Sequence, residues 1–121
     1  MSGYDNIKKR LESFKTEMES IVPFTKSELI DLVTPTMMGT SGIYYCFDTK
    51  EDTGIAIYFW NTGIFEIACD ITENDKDHSF HFNYMPQQIE NLDYPEESIR
   101  FFLQKMNELE TSIKNNFLRL R

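Results

Sequence analysis

Apolar and polar residues alternate on both sides of a short polar segment in residues 54–70. Alternation with a period of two is typical of a β-strand that has one buried face. Residues 61–63 (Asn-Thr-Gly) suit a three-residue hairpin loop, because glycine accepts the positive φ that the last loop position requires. The pattern therefore predicts a β-hairpin in which Trp60 faces Ile64.

This hairpin register separates the side chains into two sets, because successive residues of a strand point to opposite faces. A two-residue loop would instead place Glu66 opposite Phe59, and a slipped register is costly wherever one face is buried. We therefore expect a core side without charge, formed by Ile55, Ile57, Phe59, Phe65, Ile67 and Cys69. The other side carries Ala56, Tyr58, Trp60, Ile64, Glu66, Ala68 and Asp70.

Segments with apolar residues at three- and four-residue spacing lie at both ends of the chain. Residues 5–21 predict an amphipathic helix, with Ser2 or Asp5 as its N-terminal cap. Residues 93–118 predict a second, longer helix that Asp93 caps. The two apolar stripes comprise Ile7, Leu11, Phe14, Met18 and Ile21, and then Ile99, Phe102, Leu103, Met106, Leu109, Ile113 and Phe117.

Residues 43–48 and 78–84 also alternate like strands, so the sequence predicts four consecutive antiparallel strands. Residues 27–33 fit either a short helix or an edge strand. The most economical architecture is α+β: a four-stranded antiparallel β-meander, with the N-terminal helix and the long C-terminal helix packed on one face. The other face of the sheet is then open, unless residues 23–40 fold across it.

The composition, with 40% hydrophobic and 14% aromatic residues, is that of one folded domain spanning residues 1–121. The formal net charge of −8 opposes direct binding to nucleic acid or to an anionic membrane, and it suits a basic partner. The longest apolar run, residues 55–60, is far shorter than the roughly 20 residues that cross a bilayer, and the N-terminus lacks a secretory pattern. We therefore expect a cytoplasmic protein whose two cysteines, Cys46 and Cys69, are reduced.

Candidate catalytic groups are few, and we expect neither an enzyme nor a cofactor or metal site. His78 and His81 point to opposite faces of one strand, so they cannot converge on one metal ion. A nucleophilic pair of Cys46 and His81 lacks a third group to orient the imidazole. Glu66 and Asp70 lie about 13 Å apart along their strand, too far for two carboxylates to act on one bond.

The side chains expected on the open face instead suit recognition of another protein. Trp, Tyr and charged hydrogen-bonding groups around an apolar centre are the composition of a protein interface. The alternative is that residues 23–40 cover Trp60 and Tyr58. The candidate partner-binding residues are Tyr44, Tyr58, Trp60, Glu66 and Asp70, then Glu73, Asp75 and Asp77 from an acidic loop predicted at residues 71–77, with His81 and Asn83 from the last strand.

Residues 43–102 contain a Trp-x-x-Gly turn followed by alternating acidic and apolar residues, an Asp-rich loop, a strand and a terminal helix. This pattern resembles small bacterial immunity proteins of polymorphic toxin systems, the TriTu-type family in particular. The resemblance implies a protein that binds a cognate effector toxin in the producing cell and neutralises it by blocking its active site. A basic toxin that acts on nucleic acid would complement the acidic charge. The matching residues are Ile57, Trp60, Gly63, Glu66 and Asp70.

Two other classes of protein share this size and charge. One is a small acidic secretion chaperone, which would be a homodimer. The other is a phage-encoded inhibitor of a host nuclease. A small enzyme that uses Cys46 or His81 ranks last. The sequence leaves the identity of the partner and the oligomeric state open.

Overall fold

A computed structural model describes residues 2–33, 40–73, 75–86 and 93–117 of the chain. Two helices flank five strands, which form one antiparallel sheet in the order of the sequence. The fold is therefore α+β, as predicted. The elements are α1 (Gly3–Ile21), β1 (Lys26–Val33), β2 (Ser41–Asp48), β3 (Gly54–Trp60), β4 (Phe65–Glu73), β5 (Lys76–Tyr84) and α2 (Glu96–Phe117).

The central hairpin, β3 and β4, has the predicted register. Phe59 pairs with Phe65, and the backbone N–H of Trp60 donates to the carbonyl oxygen of Ile64 over 2.8 Å. Gly63, the last residue of the loop, has a φ of 95°. The three-residue loop is therefore confirmed, because the alternation of side chains and the conformational freedom of glycine point to the same turn.

The prediction of four strands is wrong by one, because the ambiguous segment after α1 is the edge strand β1. It pairs with β2 from Lys26 opposite Asp48 to Val33 opposite Ser41. Since β1 extends the sheet sideways, residues 26–33 do not fold across the open face. Residues 34–39, which belong to the segment considered as a cover, lie outside the described residues.

The acidic loop predicted at residues 71–77 is also wrong, since most of this segment is strand. β4 continues to Glu73 and β5 already begins at Lys76. Asp75 lies in a turn directly before β5, with a φ of 64°. Ile71 explains the longer strand: it continues the alternation of β4 on the core side, where it is buried.

Both helices pack on the sheet face that was predicted to be core. Phe59 lies at the centre of this core, stacked on Phe65 with 5.5 Å between ring centroids and edge-on to Phe102 at 5.1 Å. Burying one such ring stabilises the fold by about 1.5–3 kcal/mol. Neither described helix has a stretch long and apolar enough to cross a membrane.

The start of α1 agrees with the sequence prediction, whereas the start of α2 does not. The hydroxyl of Ser2 accepts a hydrogen bond from the N–H of Asp5 over 3.2 Å, so Ser2 is the cap of α1. Helix α2 begins at Glu96, later than an Asp93 cap would require. Tyr94 accounts for the delay, because it has a φ of 58° and its ring is buried in the core.

Candidate protein-binding face

The alternate residues of all five strands point away from the two helices. We call this surface the open face. It is assigned from the strand register, in which these residues alternate with the buried core residues. Its aromatic and ionisable members are Lys26, Glu28, Tyr44, Cys46, Asp48, Tyr58, Trp60, Glu66, Asp70, Asp77 and His81.

Three aromatic rings form one end of the open face. Tyr58 and Trp60 meet edge to face, with 6.3 Å between ring centroids, and Tyr44 is the partner of Tyr58 across β2 and β3. The indole of Trp60 lies over Gly42, where an added Cβ would come within 3.1 Å of its Cε3 atom. All three rings are half-buried, so each keeps part of its surface accessible to a partner.

Glu66 stands beside these rings and is held there by a hydrogen bond. The hydroxyl of Tyr58 donates to Oε2 of Glu66 over 2.7 Å, and the two residues are opposite each other in the register. The bond raises the pKa of the Tyr58 hydroxyl, because loss of its proton would place a second negative charge beside the carboxylate. The carboxylate of Glu66 is thus fixed in position next to an aromatic surface.

Asp70 lies farther along β4 and has two partners on β5. Its carboxylate accepts a hydrogen bond from the hydroxyl of Ser79 over 2.8 Å and contacts Nε2 of His81 at 2.8 Å. Both contacts lower the pKa of Asp70, and the contact with His81 has the larger effect. The Asp70 and His81 side chains are 60% and 57% exposed, so their ion pair contributes little to stability.

The three remaining acidic candidates do not share one surface. Asp77 lies on the open face, where it accepts a hydrogen bond from the hydroxyl of Thr72 over 2.6 Å. Asp75 is exposed in the turn between β4 and β5. Glu73 has the same strand parity as Ile71, so it falls on the side of the sheet that the helices cover.

The histidines and cysteines are dispersed over the fold. Both thiols are free, and burial raises the pKa of Cys69 to about 12. Cys46 and His81 share the open face but lie on β2 and β5, three strand spacings or about 14 Å apart, so they do not form a nucleophile and base. His78 is on the other side and contacts Asn116 of α2. Among the described residues, no three His, Cys, Asp or Glu side chains are grouped to hold a metal ion.

The sequence missed two features of this region. Strand β1 adds apolar surface to the open face: Ile30 is 42% exposed and lies opposite Tyr44. The hairpin loop is buried, and the carbonyl oxygen of Asn61 accepts a hydrogen bond from the N–H of Tyr94 over 2.9 Å. No local sequence pattern predicts either feature, since each depends on a segment that is distant in the chain.

Negative charge is concentrated on the sheet. Helix α1 contains four acidic and four basic residues, and α2 contains four acidic and three basic residues. Contacts between the helices join opposite charges, as in the ion pair of Arg10 and Glu110 at 3.1 Å. The open face carries five carboxylates and one lysine in its described strands: Glu28, Asp48, Glu66, Asp70 and Asp77, with Lys26.

Comparisons with known proteins do not assign the chain to a family. No protein-family model, curated protein or solved structure matches it. The resemblance to immunity proteins therefore stays a hypothesis based on residues 43–102. Function has to be inferred from the chemistry of the open face.

Proposed function

We propose that this protein is a bacterial immunity protein, which binds a cognate effector toxin and neutralises it by occluding the toxin's active site. One observation carries the proposal: Tyr44, Tyr58 and Trp60 lie half-buried and adjacent on the open face, with the carboxylates of Glu66 and Asp70 beyond them. Trp and Tyr are enriched among the residues that contribute most to the affinity of protein interfaces. The open face therefore suits a protein partner.

The charge of the open face supports a basic partner, in the simplest case a toxin that is a nuclease. An enzyme that binds a polyanion needs basic groups around its active site. An acidic surface complements those groups and competes with the nucleic acid for them. Long-range attraction also raises the rate at which two oppositely charged proteins associate.

The protein acts by binding alone, without a catalytic residue or a cofactor. It acts in the cytoplasm of the producing cell, where the toxin would otherwise reach its target. A net charge of −8 opposes direct contact with nucleic acid and with anionic membranes.

The proposal is tested by co-expression with the effector encoded by the adjacent gene. The toxic domain of that effector is produced in a bacterial host with and without this protein. We expect growth to stop without the protein and to be restored with it, and we expect the purified pair to elute as one complex. Continued growth arrest in the presence of the folded protein would contradict the proposal.

A pair of aromatic substitutions tests the surface. Trp60→Ala should weaken toxin binding by roughly thirtyfold, which corresponds to a hot-spot contribution of about 2 kcal/mol. Phe101→Ala is the matched control, because Phe101 is 37% exposed on α2, away from the open face, and its removal should leave the affinity unchanged. Calorimetry measures both affinities, and circular dichroism melts verify that both variants are folded. Equal affinities for the two variants would contradict the assignment of the open face.

The oligomeric state separates this proposal from the secretion chaperone. Light scattering of the protein without a partner should give the monomer mass of 14.3 kDa. Twice that mass would favour the homodimeric chaperone. The genome neighbourhood separates the phage-encoded inhibitor of a host nuclease: phage genes next to this one, in place of a gene for a secreted effector, would favour it.

A further inference from the structure

The geometry points to an arginine of the partner as the group that the open face recognises, with its guanidinium against the ring of Trp60 and paired with the carboxylate of Glu66. This inference rests on the proposed function for the identity of the partner. The chemistry of the ligand follows from the contacts of Trp60, Tyr58 and Glu66 alone.

Glu66 has hydrogen-bonding capacity left for a ligand. Its Oε2 atom accepts the Tyr58 hydroxyl at 2.7 Å, while an ionised carboxylate offers about four acceptor positions on its two oxygens. No Lys or Arg within the described parts of the chain forms an ion pair with Glu66. The Tyr58 bond restricts the rotation of the carboxylate, so less ordering entropy is lost when a cation binds.

The aromatic surface is within reach of the same cation. Glu66 on β4 is opposite Tyr58 on β3, and Trp60 lies two residues after Tyr58 on β3, on the same face of the sheet. Glu66 and Trp60 are therefore diagonal neighbours, and the Cα atoms of such neighbours lie roughly 7–8 Å apart. A cation within about 6 Å of the Trp60 ring centroid is attracted by the ring, so one group can contact both the ring and the carboxylate.

The charge of the open face selects a cation as the occupant. Its one lysine, Lys26, is 4.0 Å from Glu28, and Asp70 is paired with His81, so among the described residues Glu66 has no basic partner. Arginine fits better than lysine, because a planar guanidinium stacks on an aromatic ring and can donate two parallel hydrogen bonds to a carboxylate. Lysine presents only a compact point charge.

The single tryptophan of the chain provides a direct assay, since Trp60 is the only tryptophan and reports on this site. A peptide of nine arginines is titrated into the full-length protein at low ionic strength while tryptophan fluorescence is measured. Nine lysines and an uncharged glycine–serine peptide serve as comparison probes. We expect a saturable change with the arginine peptide, a dissociation constant about threefold weaker or more for lysine, and no change with the uncharged peptide.

Two isosteric variants separate the site from the overall charge of the protein. Glu66→Gln should weaken arginine-peptide binding by about fivefold or more, because it removes the paired charge. Glu12→Gln removes the same charge from an exposed position of α1 and should change binding by less than about twofold. Equal weakening in both variants, or equal affinity for arginine and lysine peptides, would overturn the inference.

The outcomes also separate this inference from the proposed function. If the adjacent effector is not neutralised but the arginine peptide still depends on Glu66, the arginine site stands and the immunity proposal fails. If the effector is neutralised but Glu66→Gln binds the arginine peptide as well as Glu12→Gln does, the arginine site is wrong and the immunity proposal stands.

Discussion

Gly63 is the residue at which backbone conformation and packing impose the same requirement. Its φ of 95° is rarely adopted by residues with a side chain. A Cβ at this position would lie 3.1 Å from the ring carbons of both Pro86 and Pro95, and closer still to Ser98. The backbone conformation of the hairpin loop and its packing against the start of α2 therefore both favour a residue without a side chain at position 63.

Gly63→Ala should therefore destabilise the protein by about 2–3 kcal/mol, which combines backbone strain with displacement of the loop from α2. Urea denaturation followed by circular dichroism measures the free energy of unfolding. Glu51→Ala, in an exposed turn residue that does not have a positive φ, gives a comparison without backbone strain. A loss below about 0.5 kcal/mol for Gly63→Ala would contradict this account, because surface substitutions commonly fall in that range.

At the scale of elements, α2 is attached to the sheet at both of its ends. Near its start, Tyr94 stacks on Phe59 with 5.9 Å between ring centroids. Near its end, Nδ2 of Asn116 lies 3.1 Å from Nδ1 of His78 on β5, and the His78 ring meets Phe117 edge-on. The Nε2 atom of His78 is buried and has no hydrogen-bond partner among the described residues. The far end of α2 therefore packs against a partly buried histidine.

This packing predicts a pH dependence of stability. Burial lowers the pKa of His78, because the charged imidazole loses its hydration. Above the ordinary histidine pKa of about 6.5 the ring is neutral in both states. As the pH falls below that value the unfolded chain binds a proton that the folded chain resists, so the free energy of unfolding should decrease until the lower folded pKa is passed.

The two histidines provide a matched pair for this measurement. His78→Gln should remove most of the loss of stability between about pH 7 and pH 5, the window below the unfolded pKa. His81→Gln, at an exposed position on the open face, should retain the loss seen in the unmodified protein. Urea denaturation across this pH range tests the prediction, and parallel curves for both variants would contradict it.

For the whole molecule, the distribution of charge distinguishes the two sides of the sheet. The helical side buries the core and carries nearly balanced charges. On the open face, only Glu28 and Asp70 of the five carboxylates form an ion pair with another described residue. Asymmetry of this kind produces a field that extends about one Debye length into solution, roughly 8 Å at physiological salt. A basic partner is therefore attracted to the open face before any contact forms.

The corresponding prediction concerns kinetics. The rate constant for association with the toxin should fall by about tenfold or more between about 50 mM and about 500 mM salt, while the dissociation rate constant changes much less. Stopped-flow measurement of Trp60 fluorescence resolves the two rates. If salt changed mainly the dissociation rate constant, charge would act only within the formed complex, and the prediction would be wrong.

The sequence by itself determined the parts of this protein that follow from local patterns. The alternation of apolar and polar residues, together with one glycine, was enough to predict the central hairpin and its register. The three- and four-residue spacing of apolar residues was enough to predict two helices on one side of a sheet. The faces of Tyr58, Trp60, Glu66 and Asp70 followed directly, because parity along a strand is a local property.

Only the tertiary structure decided the parts that depend on distant partners. Residues 26–33 became the strand β1 through pairing with β2, since their own pattern matches neither period cleanly. The delayed start of α2 depends on the packing of Tyr94 against Phe59, and the side on which Glu73 falls depends on how far β4 continues. The sequence therefore identified the central residues of the candidate site, whereas long-range contacts determined its extent.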